Sequence, residues 1–184
     1  MPTQEGIEVK PQSNLDFRLM SLTYRFRDFL LPRLDILKEV GIEEGFHVLD
    51  YGCGPGSYIG PLAELVCKSG KIYALDVHPL AIQAVQRLAS GKRLANVDTI
   101  LSDCETGLPP DSVDVVLLYD VLHDLHDRGI VLAELHRVLR PEGILSLSDH
   151  HMKEDEITSV VTKGGLFKLA AKGKRTYSFS REER

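Results

Sequence analysis

The sequence has little cysteine, no long apolar run and no excess of positive charge, and each absence excludes a class of protein. The three cysteines, Cys53, Cys67 and Cys104, form no CxxC pair and leave an odd number, which favours reduced thiols over a disulfide framework. The clean apolar runs, such as VVLLY at 115–119, are far shorter than the roughly 18 residues of a membrane span. The net charge of -5 disfavours nucleic-acid binding, which depends on Lys and Arg neutralising phosphates.

The composition that is present is that of an ordinary globular protein. The chain has 184 residues, of which 43% are hydrophobic and 27% charged, so we expect one compact catalytic or binding domain. The N-terminal stretch MPTQEGIEVKPQSN lacks the apolar centre of a signal peptide. We therefore expect a cytoplasmic protein.

Short apolar runs alternate with segments of helical spacing. The runs are rich in Val, Ile and Leu and are bounded by Gly, Pro or Asp, which is typical of buried parallel strands. They predict five strands, at 46–52, 71–77, 97–103, 113–120 and 143–149. The alternation predicts right-handed crossovers and a doubly wound, Rossmann-like α/β sheet of five parallel strands.

The C-terminal third predicts an antiparallel addition to this sheet. A short helix is expected at 156–163, followed by two strands within 165–181 around a turn at Lys172, Gly173 and Lys174. At the other end, residues 16–40 have helical apolar spacing interrupted at Pro32.

The stretch HVLDYGCGPGSYIG at 47–60 is the clearest sign of a binding site. Gly52, Gly54 and Gly56 follow the first strand directly, where a ligand of an open parallel sheet approaches the main chain. The second strand ends in Asp76, whose carboxylate could accept from two ribose hydroxyls, and the third ends in Asp103. A tight structural turn alone would also explain the glycines.

Four motifs in this order resemble those of the class I S-adenosylmethionine-dependent methyltransferases. The resemblance is closest to the small-molecule branch that includes the ubiquinone and menaquinone biosynthesis enzymes. The motifs are VLDYGCGPGSY, KIYALDVHP, ILSDCETGLPPDSVDVVLLYDVLHDL and ELHRVLRPEGILSLSD, the last matching a helix, a Pro-Gly turn and the fifth strand. Together the similarity covers residues 40–181.

The resemblance implies S-adenosylmethionine as cofactor and assigns residues to it. Asp50, Gly52 and Gly54 would lie near the methionine part and Asp76 would hold the ribose hydroxyls, while the remaining members of the implied cofactor site are Gly56, Val77, His78, Asp103, Cys104 and Tyr119. Val77 and His78 would border the adenine, Asp103 would accept from its amino group, and Cys104 would donate a main-chain N–H. Simple core packing of Val77 and turn formation by Asp50 are the structural alternatives.

Methyl transfer from a sulfonium needs alignment and a dry pocket, and a base only where the acceptor must lose a proton. The segment YDVLHDLHD offers Asp120 and His123 as catalytic candidates, with His123 preferred because imidazole titrates near neutral pH. His150 is assigned to the substrate. Helix capping by His123 is the alternative.

Other functions use some of the same residues. Asp120, Asp149 and His150 could form a Mg²⁺ site, but SDHH does not match the acidic pair and amide of the catechol-type branch, so no metal is expected. A nicotinamide dehydrogenase would show GxGxxG rather than the GxGxG found here. A methyltransferase acting on RNA or protein, or a cofactor-binding subunit inactive without a partner, remains an alternative.

The pocket still needs a cover. Almost no insertion interrupts the methyltransferase-like core, so the cover must come from residues 14–32, which include Tyr24 and Phe26 as substrate contacts, or from a partner chain in a homodimer. We therefore divide the chain into an N-terminal arm with lid helices, 1–40, and a cofactor-binding domain, 41–184. The expected acceptor is a small apolar or aromatic metabolite.

Overall fold

The sheet at the centre of the molecule has seven strands, and its strand order follows from the alternation of strands and helices. A computed structural model describes residues 33–182. The elements run in the order α1 (Leu34–Lys38), β1 (His47–Tyr51), α2 (Ile59–Val66), β2 (Lys71–Asp76), α3 (Pro79–Lys92), β3 (Val97–Leu101), β4 (Val113–Tyr119), α4 (Arg128–Val138), β5 (Leu139–Ser148), α5 (Glu154–Thr162), β6 (Phe167–Lys172) and β7 (Tyr177–Arg181).

The strand order is β3-β2-β1-β4-β5-β7-β6. The first five strands pair in parallel, whereas β7 runs antiparallel to both β5 and β6. This confirms the predicted Rossmann-like sheet with a C-terminal antiparallel hairpin. Because β1 and β4 are neighbours, the order reverses between them, and the carboxyl ends of these two strands border the crevice where such sheets bind ligands.

Two cores cover the two faces of the sheet, because successive strand residues point to opposite sides. Val48 and Ile72 pack with α1 and α2 on one face, and Leu49 and Leu75 pack with α4 and α5 on the other. The described end of the predicted arm joins the first of these cores, through Ile36 and Leu37 of α1. Within residues 33–182 no helix has the length and apolar character needed to cross a bilayer.

One predicted turn is wrong. The sequence suggested a Pro-Gly turn before a strand at 143–149, but β5 begins at Leu139, directly after α4. Leu139 pairs with Val113 and Ile144 pairs with Val115, so residues 140–143 bulge out of the ladder between two paired regions. A bulge accommodates Pro141 because the extra residues are not required to donate to the neighbouring strand.

Candidate functional site

The glycine turn after β1 uses its three glycines for different purposes. All three have positive φ, at 79° for Gly52, 51° for Gly54 and 89° for Gly56. A Cβ at Gly52 would lie 2.4 Å from Cγ2 of Val121, and one at Gly56 would lie 3.2 Å from Val85, so packing also restricts these positions. At Gly54 a Cβ would meet no atom of the described residues within 4 Å. Gly54 therefore borders open space, as the approach of a ligand requires.

Asp76 joins the glycine turn to the end of β2. Its Oδ2 accepts a 2.8 Å hydrogen bond from the main-chain N–H of Gly54, and its Oδ1 accepts one of 2.8 Å from the N–H of His78. Burial raises the pKa of Asp76 despite the lowering effect of these two hydrogen bonds. Each carboxylate oxygen keeps acceptor capacity, so the side chain can still receive two hydroxyl hydrogen bonds.

The two residues after Asp76 occupy different environments. Val77 is 38% exposed at the edge of the sheet, where an apolar ligand surface could cover it. The side chain of His78 is buried and its Nδ1 accepts a 3.1 Å hydrogen bond from the N–H of Leu80, which caps α3. The His78 ring thus has a structural task, while Val77 is available to a ligand.

Asp50 is a buried carboxyl group that the fold leaves incompletely satisfied. Its Oδ2 makes no hydrogen bond within residues 33–182, and only 2% of the residue is exposed. Burial, and next the negative charge of Asp76, raise the pKa of Asp50 to about 7. Two carboxylates near one open turn create a site that a cationic ligand would stabilise. These two carboxylates therefore fit a positively charged cofactor.

The first residues of the loop between β3 and β4 lie at the same edge of the sheet. The hydroxyl of Tyr51 donates a 3.0 Å hydrogen bond to the carbonyl oxygen of Asp103, which fixes this part of the loop to β1. Asp103 itself is exposed to solvent. The N–H of Cys104 donates to Oγ of Ser102 at 3.3 Å, so the predicted donor of this residue already has a long hydrogen bond.

Glu134 of α4 holds the following part of this loop. It accepts hydrogen bonds from the hydroxyl and the N–H of Thr106, at 2.5 and 2.9 Å, and its carboxylate forms an ion pair with Arg137. The hydrogen bond from Arg137 lowers the pKa of Glu134 most, and those from Thr106 lower it further. Together they outweigh the effect of burial, which raises it, and bring the pKa to about 2. The loop is thereby tied to a helix rather than left to move independently.

Tyr119, the last residue of β4, has its side chain in the core. Its hydroxyl lies 2.8 Å from Oγ of Ser146 on β5, and its ring meets that of Tyr58 edge to face at a centroid distance of 5.1 Å. The side chain of Tyr119 is therefore occupied by core contacts, and its predicted cofactor contact would involve the main chain. The side chain contributes by positioning Tyr58, which lies directly after the glycine turn.

His123 and Asp149 form a pair that the sequence did not predict. The ring Nδ1 of His123 lies 3.0 and 2.9 Å from the two carboxylate oxygens of Asp149, whose side chain has no exposed surface. The N–H groups of His123 and His151 donate to the same carboxylate, at 3.1 and 3.0 Å. Burial by itself raises the pKa of Asp149, but the hydrogen bond from the His123 ring and those from the two N–H groups outweigh it and lower the pKa.

A second carboxylate–histidine pair lies beside the first. Oδ1 of Asp120 accepts from the N–H of His150 at 3.1 Å and lies 2.6 Å from its ring Nδ1. Asp120 itself has a left-handed conformation, with φ 55°. The ring of His151 lies between the two pairs, with centroids 4.2 Å from His123 and 3.8 Å from His150.

This arrangement bears on the alternative of a metal site. Asp149 is engaged by His123 rather than by Asp120 and His150, so the three residues considered as Mg²⁺ ligands belong to two separate pairs. Across residues 33–182, no three His, Cys, Asp or Glu side chains converge in an arrangement suited to a metal ion.

The structure thus brings most of the predicted site residues to one edge of the sheet, at the carboxyl ends of β1, β2, β4 and β5. Tyr24 and Phe26 lie outside the described residues, so their assignment to the substrate stays a prediction. Sequence reasoning missed two contacts: Val121 against Gly52, and Asp149 against His123. The sequence marks Asp149 as a carboxylate at a strand end, but gives no signal for its partner.

Comparisons with known proteins agree with this geometry. The profile of a family described as "Methyltransferase domain" matches residues 42–180. The demethylmenaquinone methyltransferase of Geobacillus stearothermophilus is 31% identical over 126 residues, which are 68% of this chain and 54% of that protein. The carboxy-S-adenosyl-L-methionine synthase of Dichelobacter nodosus is 27% identical over 167 residues, 84% of this chain and 70% of that protein.

The fold has a similar counterpart among solved structures. The crystal structure of a SAM dependent methyltransferase from Aquifex aeolicus superposes with a TM-score of 0.78 at 23% identity, covering 93% of this chain and 98% of that one. The chain spans about half the length of the curated demethylmenaquinone methyltransferases it matches, 54% of the one from G. stearothermophilus. The family match over residues 42–180, together with the glycine turn, its two carboxylates and the strand order, shows that the chain belongs to the class I S-adenosylmethionine-dependent methyltransferases.

Proposed function

We propose that this protein transfers a methyl group from S-adenosylmethionine to a small apolar or aromatic acceptor. The observation that carries the proposal is the buried Oδ2 of Asp50, which has no hydrogen-bond partner within residues 33–182 and lies in the strand that leads into the open turn at Gly54. An unsatisfied buried carboxylate is costly, and a ligand bearing an ammonium and a sulfonium group would offset that cost.

The remaining cofactor contacts follow from the positions around this turn. Asp76 would accept the two ribose hydroxyls, because both of its oxygens retain acceptor capacity after binding Gly54 and His78. Val77, exposed at the end of β2, would cover one side of the adenine, and the loop at Asp103 and Cys104 the other. When bound, the cofactor supplies an activated methyl group, so this chain needs only to align the acceptor and exclude water.

The acceptor would lie over the ends of β4 and β5. Asp120, His123 and His150 are all placed there, and the lid at 14–32 with Tyr24 and Phe26 would cover them. The names of the relatives that act on demethylmenaquinone favour an aromatic, quinone-type acceptor. A methyltransferase for RNA or protein is less well supported, since the net charge of -5 disfavours nucleic acid and the relatives are named for small molecules.

Calorimetric titration of the full chain tests the cofactor assignment. We expect S-adenosylmethionine and its demethylated product to bind in a one-to-one ratio and NAD not to bind. The variant Asp114→Asn should bind the cofactor as the unmodified protein does, because Asp114 accepts the main-chain N–H of His47 at the opposite edge of the sheet. Binding of NAD without a response to the methyl donor would overturn the proposal.

A second experiment identifies the class of acceptor. The full chain and tritiated-methyl S-adenosylmethionine are added to a cell extract, which is then separated into small-molecule, nucleic-acid and protein fractions. Label in the small-molecule fraction is expected. Label in RNA or protein would replace the proposed acceptor class, and cofactor binding without any incorporation would favour a subunit that needs a partner.

A further inference from the structure

Asp149 has the environment of an ionised carboxylate with a dedicated task. Its side chain has no exposed surface, and it lies directly after β5, beside the loop that follows β4. It accepts from the N–H of His123 and the N–H of His151, one at each oxygen. With these two donors and the His123 ring, three hydrogen bonds stabilise the charged form of a buried group.

The state of Asp149 fixes the tautomer of His123. An ionised carboxylate can only accept hydrogen bonds, so the Nδ1 of His123, 2.9 Å from Oδ2 of Asp149, must carry a proton. In the neutral ring the lone pair is therefore on Nε2. This is the nitrogen that can take a proton from another molecule.

Other charged groups around His123 act on the same proton. The carboxylate of Asp124 lies 3.4 Å from Nε2 on a side chain that is 69% exposed, and it would stabilise an imidazolium from the solvent side. The ring of His151, 4.2 Å away, would oppose that charge if it were itself protonated. The guanidinium of Arg128 also opposes it, but is held by the carbonyl oxygens of Leu122 and His123.

We propose that Asp149 is a positioning residue that holds His123 as a proton acceptor, and that the methyl acceptor is therefore a compound that loses a proton on methylation. This inference rests on the proposed methyl transfer and narrows its substrate class. The class contains acidic hydroxyl groups and C–H groups activated by neighbouring carbonyls. It excludes tertiary amines and thioethers, which gain a methyl group without releasing a proton.

The reaction step balances with this assignment. The acceptor oxygen or carbon forms a bond to the methyl carbon, and the bond from that carbon to sulfur breaks with its electron pair left on sulfur. The proton of the acceptor passes to Nε2 of His123, and the resulting imidazolium is stabilised by Asp149. Release of that proton to solvent restores the neutral ring with Nδ1 protonated.

NMR of the ¹⁵N-labelled full chain tests the positioning role without any acceptor. Two-bond correlation spectra, assigned with His123→Asn, should show the Nδ1–H tautomer of His123 in the unmodified protein. In Asp149→Asn the preference for the Nδ1–H tautomer should weaken, because an amide can donate to Nδ1 as well as accept from it. Asp114→Asn, which removes a carboxylate that binds the main-chain N–H of His47 and the side chain of Arg140, should leave the tautomer of His123 unchanged. An Nε2–H tautomer in the unmodified protein would overturn the proposal even if Asp149→Asn failed to fold.

Kinetics test the substrate class. With the small-molecule fraction of a cell extract and tritiated-methyl S-adenosylmethionine, Asp149→Asn should lower the rate by roughly 10²- to 10⁴-fold near neutral pH. The deficit should narrow as pH rises, because the acceptor then ionises unaided, and Asp149→Glu should recover part of the rate. Equal rates for the unmodified protein and Asp149→Asn at every pH would refute the inference and leave the proposed methyl transfer intact. Absence of cofactor binding in all variants would instead refute the proposed function, whatever the tautomer of His123.

Discussion

Two carboxylates near the glycine turn have different tasks, and single substitutions separate them. Asp76 is hydrogen-bonded to Gly54 and His78, whereas Asp50 has an oxygen that no described residue satisfies. We therefore expect Asp76 to act both on the shape of the turn and on the ligand, and Asp50 to act mainly through its charge.

Replacement of Asp76 by Ala should weaken binding of S-adenosylmethionine by about 1 to 3 kcal/mol, the scale of hydrogen bonds to a charged group. The fold should remain intact, because β2 and its ladders with β1 and β3 do not depend on this side chain. Calorimetric titration and a melting curve of the apo protein provide the two measurements. A melting curve that collapses would show that Asp76 is structural instead.

If Asp50 binds the cofactor as proposed, its raised pKa should make cofactor binding depend on pH. Because the folded pKa is about 7, the carboxylate is mostly protonated at pH 6 and mostly ionised at pH 8. The affinity for S-adenosylmethionine should therefore fall about tenfold one unit below that pKa. Titrations at pH 6 and 8 measure the effect, and Asp50→Asn should bind weakly at both values.

The same shift affects the stability of the apo protein. The folded state holds the Asp50 proton more tightly than the unfolded state does, so this group's contribution to stability is present below pH 3.8 and is lost as pH rises to about 7. Asp50→Asn cannot ionise and should melt higher than the unmodified apo protein at pH 8. A lower melting temperature for the variant at pH 8 would contradict the assigned pKa.

At the scale of elements, Glu134 of α4 holds the middle of the loop between β3 and β4 through Thr106. The side chain of Glu134 is only 13% exposed, and its carboxylate binds Thr106 and Arg137. Replacement by Gln keeps the size but loses the charge. We expect Glu134→Gln to lower the free energy of unfolding by about 1 to 3 kcal/mol at pH 7, the cost of breaking hydrogen bonds to a charged group.

The contribution of Glu134 to stability should depend on pH in the opposite direction to the contribution of Asp50. The folded pKa of Glu134 is lowered from 4.5 to about 2, so its stabilising contribution is present above pH 4.5 and disappears as pH falls towards 2. Denaturant titrations of the variant and the unmodified protein should therefore converge at acid pH. Glu142→Gln, at the exposed bulge of β5, serves as the control and should change little at any pH.

The elements themselves were largely predictable, and the exceptions have physical reasons. Buried parallel strands produce continuous apolar runs, so the five parallel strands and the hairpin are confirmed with small shifts at their ends. The position of β7 between β5 and β6 was not predicted, because a hairpin pattern shows that two strands pair but not which of them joins the sheet. The start of β5 was missed because Pro141 and Gly143 indicate a turn, whereas the ladder tolerates them as a bulge.

The site was predictable where the main chain determines it and less so where side chains meet across the fold. Gly54 and Asp76 belong to local motifs whose spacing is fixed by one strand, one turn and one helix. His123 and Asp149 come from loops after different strands, and their contact depends on the register of β4 against β5. No local pattern in the sequence encodes that register.

For the whole molecule, the assignment of residues 14–32 as a lid stays a prediction. Deletion of residues 1–32 should leave cofactor affinity within a few fold, because Ile36 and Leu37 of α1 keep their places in the core. Methyl transfer should be abolished, since lids act on closure more than on the cofactor cleft. Titration calorimetry and tritium incorporation measure the two properties. Deletion of residues 1–13 is the control, and full turnover by the longer truncation would show that the cover comes from elsewhere.

The insertion of β7 between β5 and β6 also has a consequence for biosynthesis. The ribosome synthesises β5 well before residues 177–181 and β6 shortly before them, and in the finished sheet both strands pair with β7 rather than with each other. Phe179, which has no exposed surface, completes the core only when this late segment arrives. A nascent chain halted before residue 177 would thus present the open edge of β5, where the strand of another chain could pair.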